Sequence, residues 1–371
     1  MNFPDEKSHS VTVTNRRRFV KNISLGVAGA SLLSRPPLLP WISGDENKMV
    51  YRRLGRTGFQ VSEIGLGGHY DGPNWKAKNS RDQRQRDAVF AECVKGGVNC
   101  FDTNTDYERQ TLGISLKRVP DIRDRILVVA DINDKDGTKE EIYRFILDSM
   151  EEQLRILQLP YVDIMRFTTV IRKTPPEKCE AAIRAFREVK KAGKAKYLAF
   201  SQHDPDLMMQ WVQRYDEIDI IYVPYNYFAS KADQELFPTA RKKDIGIIVI
   251  KPFNKGTIFD PKLASLMQGG GIRSVLDMAE KGKKSRTPEE LTRGTNLTLA
   301  QAGLRFILSN QNVSTVIPGM ELVQEVRENL AMAGRGPEFG KQDHALLDPL
   351  ARHVQESLPQ AYRWLKGWKN A

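Results

Sequence analysis

Ile245-Gly246-Ile247-Ile248-Val249-Ile250 carries one glycine and no polar side chain. A short apolar run of this kind suits a strand buried on both faces, which is the habit of parallel sheets. Similar runs lie on either side of it. On the N-terminal side they fall at 98–101, 126–130, 161–167, 197–200 and 218–223, and on the C-terminal side at 313–317. Residues 63–67, containing Ile64-Gly65-Leu66-Gly67, make an eighth. Helical patterns fill the gaps. Ile142, Phe145, Ile146, Ser149, Gln153, Leu154 and Leu157 form a stripe of period 3.6 bordered by charge. Another helix is expected from Pro176 to Ala192, opened by proline and stopped by Gly193. Eight βα units predict a closed (β/α)8 TIM barrel. Leu54-Gly55-Arg56-Thr57-Gly58-Phe59 reads as an N-terminal β-hairpin with glycines at its turn.

The chain has 371 residues, of which 40% are hydrophobic and 28% charged, with mean hydropathy −0.47. Its 15 Phe, 11 Tyr and 5 Trp supply a sizeable core and exclude a disordered chain. No apolar run reaches the 18 or so residues of a transmembrane helix. The three cysteines, Cys93, Cys100 and Cys179, lack the spacing of a disulfide framework or a metal knuckle and read as small buried hydrophobes. The five histidines are far apart in sequence, so no metal site is expected. The net charge of +11 is scattered, without the basic tract interleaved with aromatics that nucleic-acid binding needs.

Residues 1–49 read as an address rather than as fold. Arg16-Arg17-Arg18-Phe19-Val20-Lys21 precedes an uncharged stretch from Asn22 to Ser34, then Arg35 and Pro36-Pro37-Leu38-Leu39-Pro40. A basic region followed by a short apolar one is a secretory pattern, and the paired arginines resemble the bacterial twin-arginine signal. The expected partner is the twin-arginine export machinery. The expected location is the periplasm, or a tether on the outer side of the inner membrane, because Ala28-Gly29-Ala30 is a poor cleavage site. Residues 50–335 form the expected barrel. Residues 336–371 are expected to be a C-terminal helical extension packing on it, and 253–294 a long βα loop.

Tyr51-Arg52-Arg53-Leu54-Gly55-Arg56-Thr57-Gly58-Phe59-Gln60-Val61-Ser62 resembles the opening hairpin of the aldo-keto reductases. Gly97-Val98-Asn99-Cys100-Phe101-Asp102-Thr103 with Tyr107 is similar to that family's second strand and the loop after it. Gly193-Lys194-Ala195-Lys196-Tyr197-Leu198-Ala199-Phe200-Ser201 is similar to its fifth strand. Tyr225-Asn226, Lys251-Pro252-Phe253 and Ile317-Pro318-Gly319 with Glu328-Asn329-Leu330 fit its later strands, in order, from about residue 51 to 332.

The resemblance implies a nicotinamide cofactor across the barrel mouth and hydride transfer between it and a small carbonyl or sugar-like substrate. The family's catalytic set is Asp, Tyr, Lys and His. Asp102 and Tyr107 match the first two. The third strand aligns Ala130-Asp131-Ile132 with the lysine run, placing isoleucine at the lysine. The fourth, Asp163-Ile164-Met165-Arg166-Phe167-Thr168, places threonine at the histidine. An ammonium beside a tyrosine lowers its pKa from about 10, and its loss removes general acid–base help of roughly 10²–10⁴-fold. Candidates for a replacement are Lys135, Lys251, Arg166, His69 and His203.

For the cofactor, the resemblance implies Ser201 and Gln202 on the carboxamide. Lys251, Phe253 and Gly256 would lie around the diphosphate, with Gly319 nearby, and Asn329 on the adenine. Tyr222 stands where the family has a glutamine, and Ile250 where many members have an aromatic. Glu325, near Glu321, stands where NADP-preferring members often carry Arg or Gln, so NAD(H) is slightly favoured over NADP(H). A carboxylate repels the 2′-phosphate and accepts from a ribose hydroxyl. Two other functions stay open: a catalytically retired nucleotide-binding barrel, and a non-redox lyase or isomerase on a sugar-like substrate.

Overall fold

A computed structural model describes residues 49–68, 80–169, 174–253, 297–335, 339–345, 347–348 and 351. The signal-like segment, the expected long loop after residue 253, Gly256 and His69 lie outside the described residues.

The hairpin pairs β1 (Tyr51–Arg53) antiparallel with β2 (Gln60–Ser62) across a 3₁₀ turn at Gly55–Thr57. Gly55 is required there: its φ is +49°, and a Cβ would lie 2.2 Å from the Gly246 amide nitrogen. The contact presses the hairpin against the N-terminal end of a barrel strand, and Leu54 and Val61 close that end of the barrel interior.

Seven parallel strands follow in sequence order: β3 (Cys100–Phe101), β4 (Leu127–Asn133), β5 (Val162–Thr169), β6 (Ala195–Gln202), β7 (Ile220–Pro224), β8 (Gly246–Ile250) and β9 (Thr315–Val316). The expected eighth strand, at 63–67, is present as single bridges. Ile64 pairs with Val316 on one sheet edge and Leu66 with Phe101 on the other, so this segment closes the barrel. Its backbone bonds run to both neighbours: the Gly65 amide donates to Val316, and the Leu66 amide to Cys100. The first and last strands of the seven are shorter than their apolar runs because their outer partner is only this brief segment. β4 is longer than expected, reaching Asn133 through its ladder with β5.

The strand period of two sorts the side chains. Cys100, Leu127, Val129, Ile164, Ala199, Ile220, Tyr222, Ile248 and Ile317 fill the barrel interior. Their neighbours Val128, Ala130, Met165, Phe167, Leu198, Phe200 and Ile221 face outward under the helices. The helices are α1 (Ser80–Lys95), α2 (Asp106–Arg118), α3 (Lys139–Leu157), α4 (Pro176–Lys191), α5 (Pro205–Arg214), α6 (Leu236–Lys242), α7 (Leu299–Ser309) and α8 (Val323–Leu330). α3 begins in a capping box of Thr138 and Glu141 and buries Ile142, Ile146, Met150, Leu154 and Leu157, the apolar side of its stripe. α4 starts at its proline and ends before Gly193, whose φ is +71°. Leu347 and Ala351 pack with Tyr227, Phe228, Leu299 and half-buried Phe339. The Tyr227 hydroxyl bonds His344 Nδ1 at 2.7 Å and also donates to Asp348. No helix among the described residues is long and apolar enough to cross a membrane.

Candidate active site

At the C-terminal end of the barrel the inward strand positions change from apolar to charged. On β4 the inward series Leu127, Val129 continues to Asp131, and on β5 Ile164 continues to Arg166 and Thr168. Asp131 and Arg166 are ladder neighbours, so their side chains share one face. Asp102 follows β3. Its amide donates to Leu66 O at 2.9 Å, which fixes it to the closing segment.

Arg166 joins these residues into one cluster. Its Nη1 donates to both carboxylate oxygens of Asp102 at 2.7 Å, its Nε to Asp131 Oδ1 at 2.9 Å, and its Nη2 to Asn104 Oδ1 at 2.7 Å. Thr168 adds a hydroxyl donor to Asp131 Oδ1. Asn104 Nδ2 reaches Asp102 at 3.3 Å. All three charged residues are only 3% exposed. Desolvation on this scale costs several kcal/mol per ion and is offset only by close, well-directed partners, which the planar guanidinium fork provides. Burial raises the Asp102 carboxyl above the usual carboxylate range, against the pull of Arg166. Burial also opposes the charge on Arg166, but Asp102 and Asp131 outweigh it and hold the guanidinium firmly protonated.

Two further groups complete the floor. The Tyr222 ring on β7 lies 4.8 Å from the Arg166 Cζ, in cation–π contact. The Tyr222 hydroxyl is buried without a hydrogen-bond partner among the described residues, and burial pushes its pKa well above 10. Ser201 is buried on β6 and is the ladder neighbour of Tyr222.

An outer brace holds the cluster in place. Buried Arg109 on α2 donates through Nη2 to the carbonyls of Asn104 and Asp131, each at 3.0 Å, and through Nε to Gln153 of α3 at 3.0 Å. Gln153 Nε2 donates in turn to Asp131 O at 2.5 Å. Glu108 accepts from the Asn104 and Thr105 amides and caps α2. Tyr107 sits in the first turn of that helix, 8% exposed, at the same end of the barrel.

The other sequence candidates are placed as follows. Ile132, aligned with the family's lysine, faces outward into the helix-covered layer, and the inward position beside it is Asp131. A carboxylate therefore occupies β4 and the cation comes from β5. Lys135 lies over the Phe145 ring at 5.3 Å. Gln202 is spent within the protein: Nε2 donates to Thr169 Oγ1 at 2.6 Å, while Oε1 accepts from the His203 and Asp204 amides at the start of α5.

Lys251 follows β8 in a left-handed backbone conformation, φ +54°, and its carbonyl accepts from Asn226. Such a conformation in a non-glycine residue is held by its surroundings and is typical of ligand-binding turns. Phe253 is half-buried against the core. Gly319 pairs with Gly67, and a Cβ on it would sit 3.2 Å from Gly68 O. Asn329 is buried on α8. Glu325 Oε2 accepts from the Glu321 and Leu322 amides at 2.6 and 3.0 Å, so its carboxylate occupies the N-terminal end of that helix. Sequence reading missed Asp131 and Asn104. The signal for Asp131 was its phase: it continues the inward series of β4, as Arg166 does on β5.

The aldo/keto reductase family model matches residues 63–352, which takes in every strand of the barrel and this cluster. The chain belongs to the aldo/keto reductase family. L-Galactose dehydrogenase of Arabidopsis thaliana is 25% identical over 330 residues, covering 82% of this chain and 96% of its own. The NADH-specific methylglyoxal reductase of Escherichia coli is 24% identical over 311 residues, covering 75% and 91%. A solved aldo-keto reductase from Bacillus halodurans, in its holo form, superimposes with a TM-score of 0.59 at 20% identity, over 84% of this chain and 96% of that one. Aldo/keto reductases are nicotinamide-dependent oxidoreductases, and the barrel mouth here fits that group. The buried Tyr222 hydroxyl has no partner among the described residues and belongs to the charged floor, and Lys251 holds a left-handed turn at the rim.

Proposed function

We propose that this chain is an oxidoreductase that moves hydride between a nicotinamide nucleotide and a small carbonyl or alcohol, using a rearranged catalytic set. The carrying observation is that Arg166 takes the place of the lysine as the cation bonded to Asp102. The nicotinamide, when bound, accepts or supplies the hydride. Tyr107 exchanges the proton with the substrate oxygen. Arg166 is shared between the carboxylates of Asp102 and Asp131. Thr168, bonded to Asp131, stands where a histidine would orient the substrate. Ser201 holds the carboxamide without help from Gln202. Phe253 and Lys251 would hold the diphosphate, with Gly319 nearby, and Asn329 would hold the adenine; Gly256, assigned to the diphosphate by the family resemblance, lies outside the described residues.

NAD(H) is the preferred nucleotide in this reading. The Glu325 carboxylate fills the helix N-terminus that would otherwise attract a phosphate. One relative is named as NADH-specific and another as acting on a sugar, which supports NADH and a polyhydroxy substrate. The arginine-rich leader directs export by the twin-arginine route, so the substrate is met outside the cytoplasm.

A panel of aldehydes, ketones and polyols assayed with each nucleotide on wild type and Tyr107→Phe tests the proposal. Turnover in wild type that falls at least ~100-fold in Tyr107→Phe is expected. Nucleotide binding with no turnover of any panel member would instead support a retired nucleotide-binding barrel. Substrate turnover without redox change would support a lyase or isomerase.

A further inference from the structure

We propose that the Asp102–Arg166–Asp131 cluster makes this site a preferential binder of the oxidised, cationic nicotinamide over the reduced, neutral form. The inference rests on the nucleotide-binding reading above.

The argument begins with a charge count. Two buried carboxylates face one guanidinium, and the cluster's other bonds, to Asn104, Thr168 and the Tyr222 ring, are to neutral groups. With both carboxylates ionised, one negative charge is left over in a place where water screens little. In the adjoining loop, buried Lys178 meets Asp134 and exposed Asp136 at 3.1 Å, and the Asp134 amide donates to Thr168 O at 2.9 Å, which places the Asp134 carboxylate next beyond the cluster. Arg109, which bonds the Asp131 carbonyl, has its own carboxylate in Asp106 and spends its remaining donors on carbonyls and Gln153. The chain as a whole carries +11, so the acid surplus of this cluster, counted among the described residues, is a local feature and not the drift of composition.

The second observation is Tyr222. Its ring covers Arg166 on the β7 side, and its fully buried hydroxyl has no partner among the described residues. A protein leaves a buried hydroxyl unmade at a cost of about one hydrogen bond, and a ligand polar group at the mouth would satisfy it. The site therefore offers an acceptor-rich, net-negative floor and one spare hydroxyl. Oxidised nicotinamide carries a positive ring and the reduced form a neutral one, so the surplus charge discriminates between them.

The test is the ratio of dissociation constants for NAD⁺ and NADH, measured on the full chain by calorimetry and nucleotide fluorescence. Wild type is expected to bind NAD⁺ at least as tightly as NADH. Asp131→Asn, which keeps the shape and the acceptor for Arg166, is expected to move the ratio toward NADH by about tenfold or more. Asp134→Asn lies outside the cluster and serves if the first variant does not fold. It is expected to move the ratio the same way by about two- to threefold. Tighter NADH binding in wild type, or a ratio unmoved in the variants that fold, overturns the inference while leaving nucleotide binding intact. Binding of neither nucleotide overturns both.

Discussion

Arg166 is the residue on which the site turns. Removing it leaves two aspartates buried together without a counter-charge, and breaking a buried ion pair from one side costs about 3–5 kcal/mol. Urea denaturation of Arg166→Met should show a loss of that size. A change under ~1 kcal/mol would mean that the aspartates do not depend on it. Asp102 gives a pH signature as well. Its folded pKa is raised by burial, so the native state holds its proton more tightly than the unfolded chain does. Stability from this group falls as pH climbs through the window above the ordinary carboxylate value. Melting temperatures between about pH 4 and 8 should show Asp102→Asn gaining on wild type as pH rises. A constant gap would contradict the raised pKa. Much of this residue-level picture was open to sequence reading. Asp102, Tyr107 and Thr168 sit in motifs, and Arg166 could be named as a candidate cation. Asp131 was hidden because motif alignment put attention on Ile132, one residue out of phase. Only the strand ladder shows which of two adjacent residues faces inward.

The decisive elements are the strand ends and the helix termini beside them. β4 runs past its apolar stretch to Asn133 because its ladder with β5 continues, and this extension carries Asp131 to Arg166. Sequence periodicity marked where strands begin in apolar residues but not where polar residues extend them, since pairing with a neighbour decides that. α8 shows the same limit. Glu325 was legible as a carboxylate near the nucleotide, while its bonds to the Glu321 and Leu322 amides depend on the helix start. Glu325→Ala should cost about 0.5–2 kcal/mol as a lost cap. It should also narrow the gap between NADPH and NADH affinity, because it frees amide donors for a phosphate. Unchanged relative affinities would separate the cap from cofactor choice.

At the largest scale, the described barrel is a parallel sheet closed by a segment too short to be a full strand. Residues 63–67 bridge both edges, and Gly67 is the tightest point. A Cβ there would lie 2.3 Å from Ile317 O. Gly67→Ala should lower stability by more than an ordinary surface change, about 1–3 kcal/mol, and should disturb Asp102, which hangs on Leu66 of the same segment. Chemical denaturation together with nucleotide titration of this variant checks both effects, and native-like values for the two would show that closure is not coupled to the site. The barrel class was legible from eight apolar runs alone. The closing geometry was not, because it rests on glycine contacts across the fold.

The account's central claim is that this charged barrel mouth binds a nicotinamide nucleotide. A fluorescence titration of the full chain with NADH, followed by NADPH, tests it most directly. Saturable binding, tighter for NADH and weakened in Ser201→Ala, is the expected result. Absence of saturable binding by either nucleotide, in protein with native circular dichroism, would contradict the account.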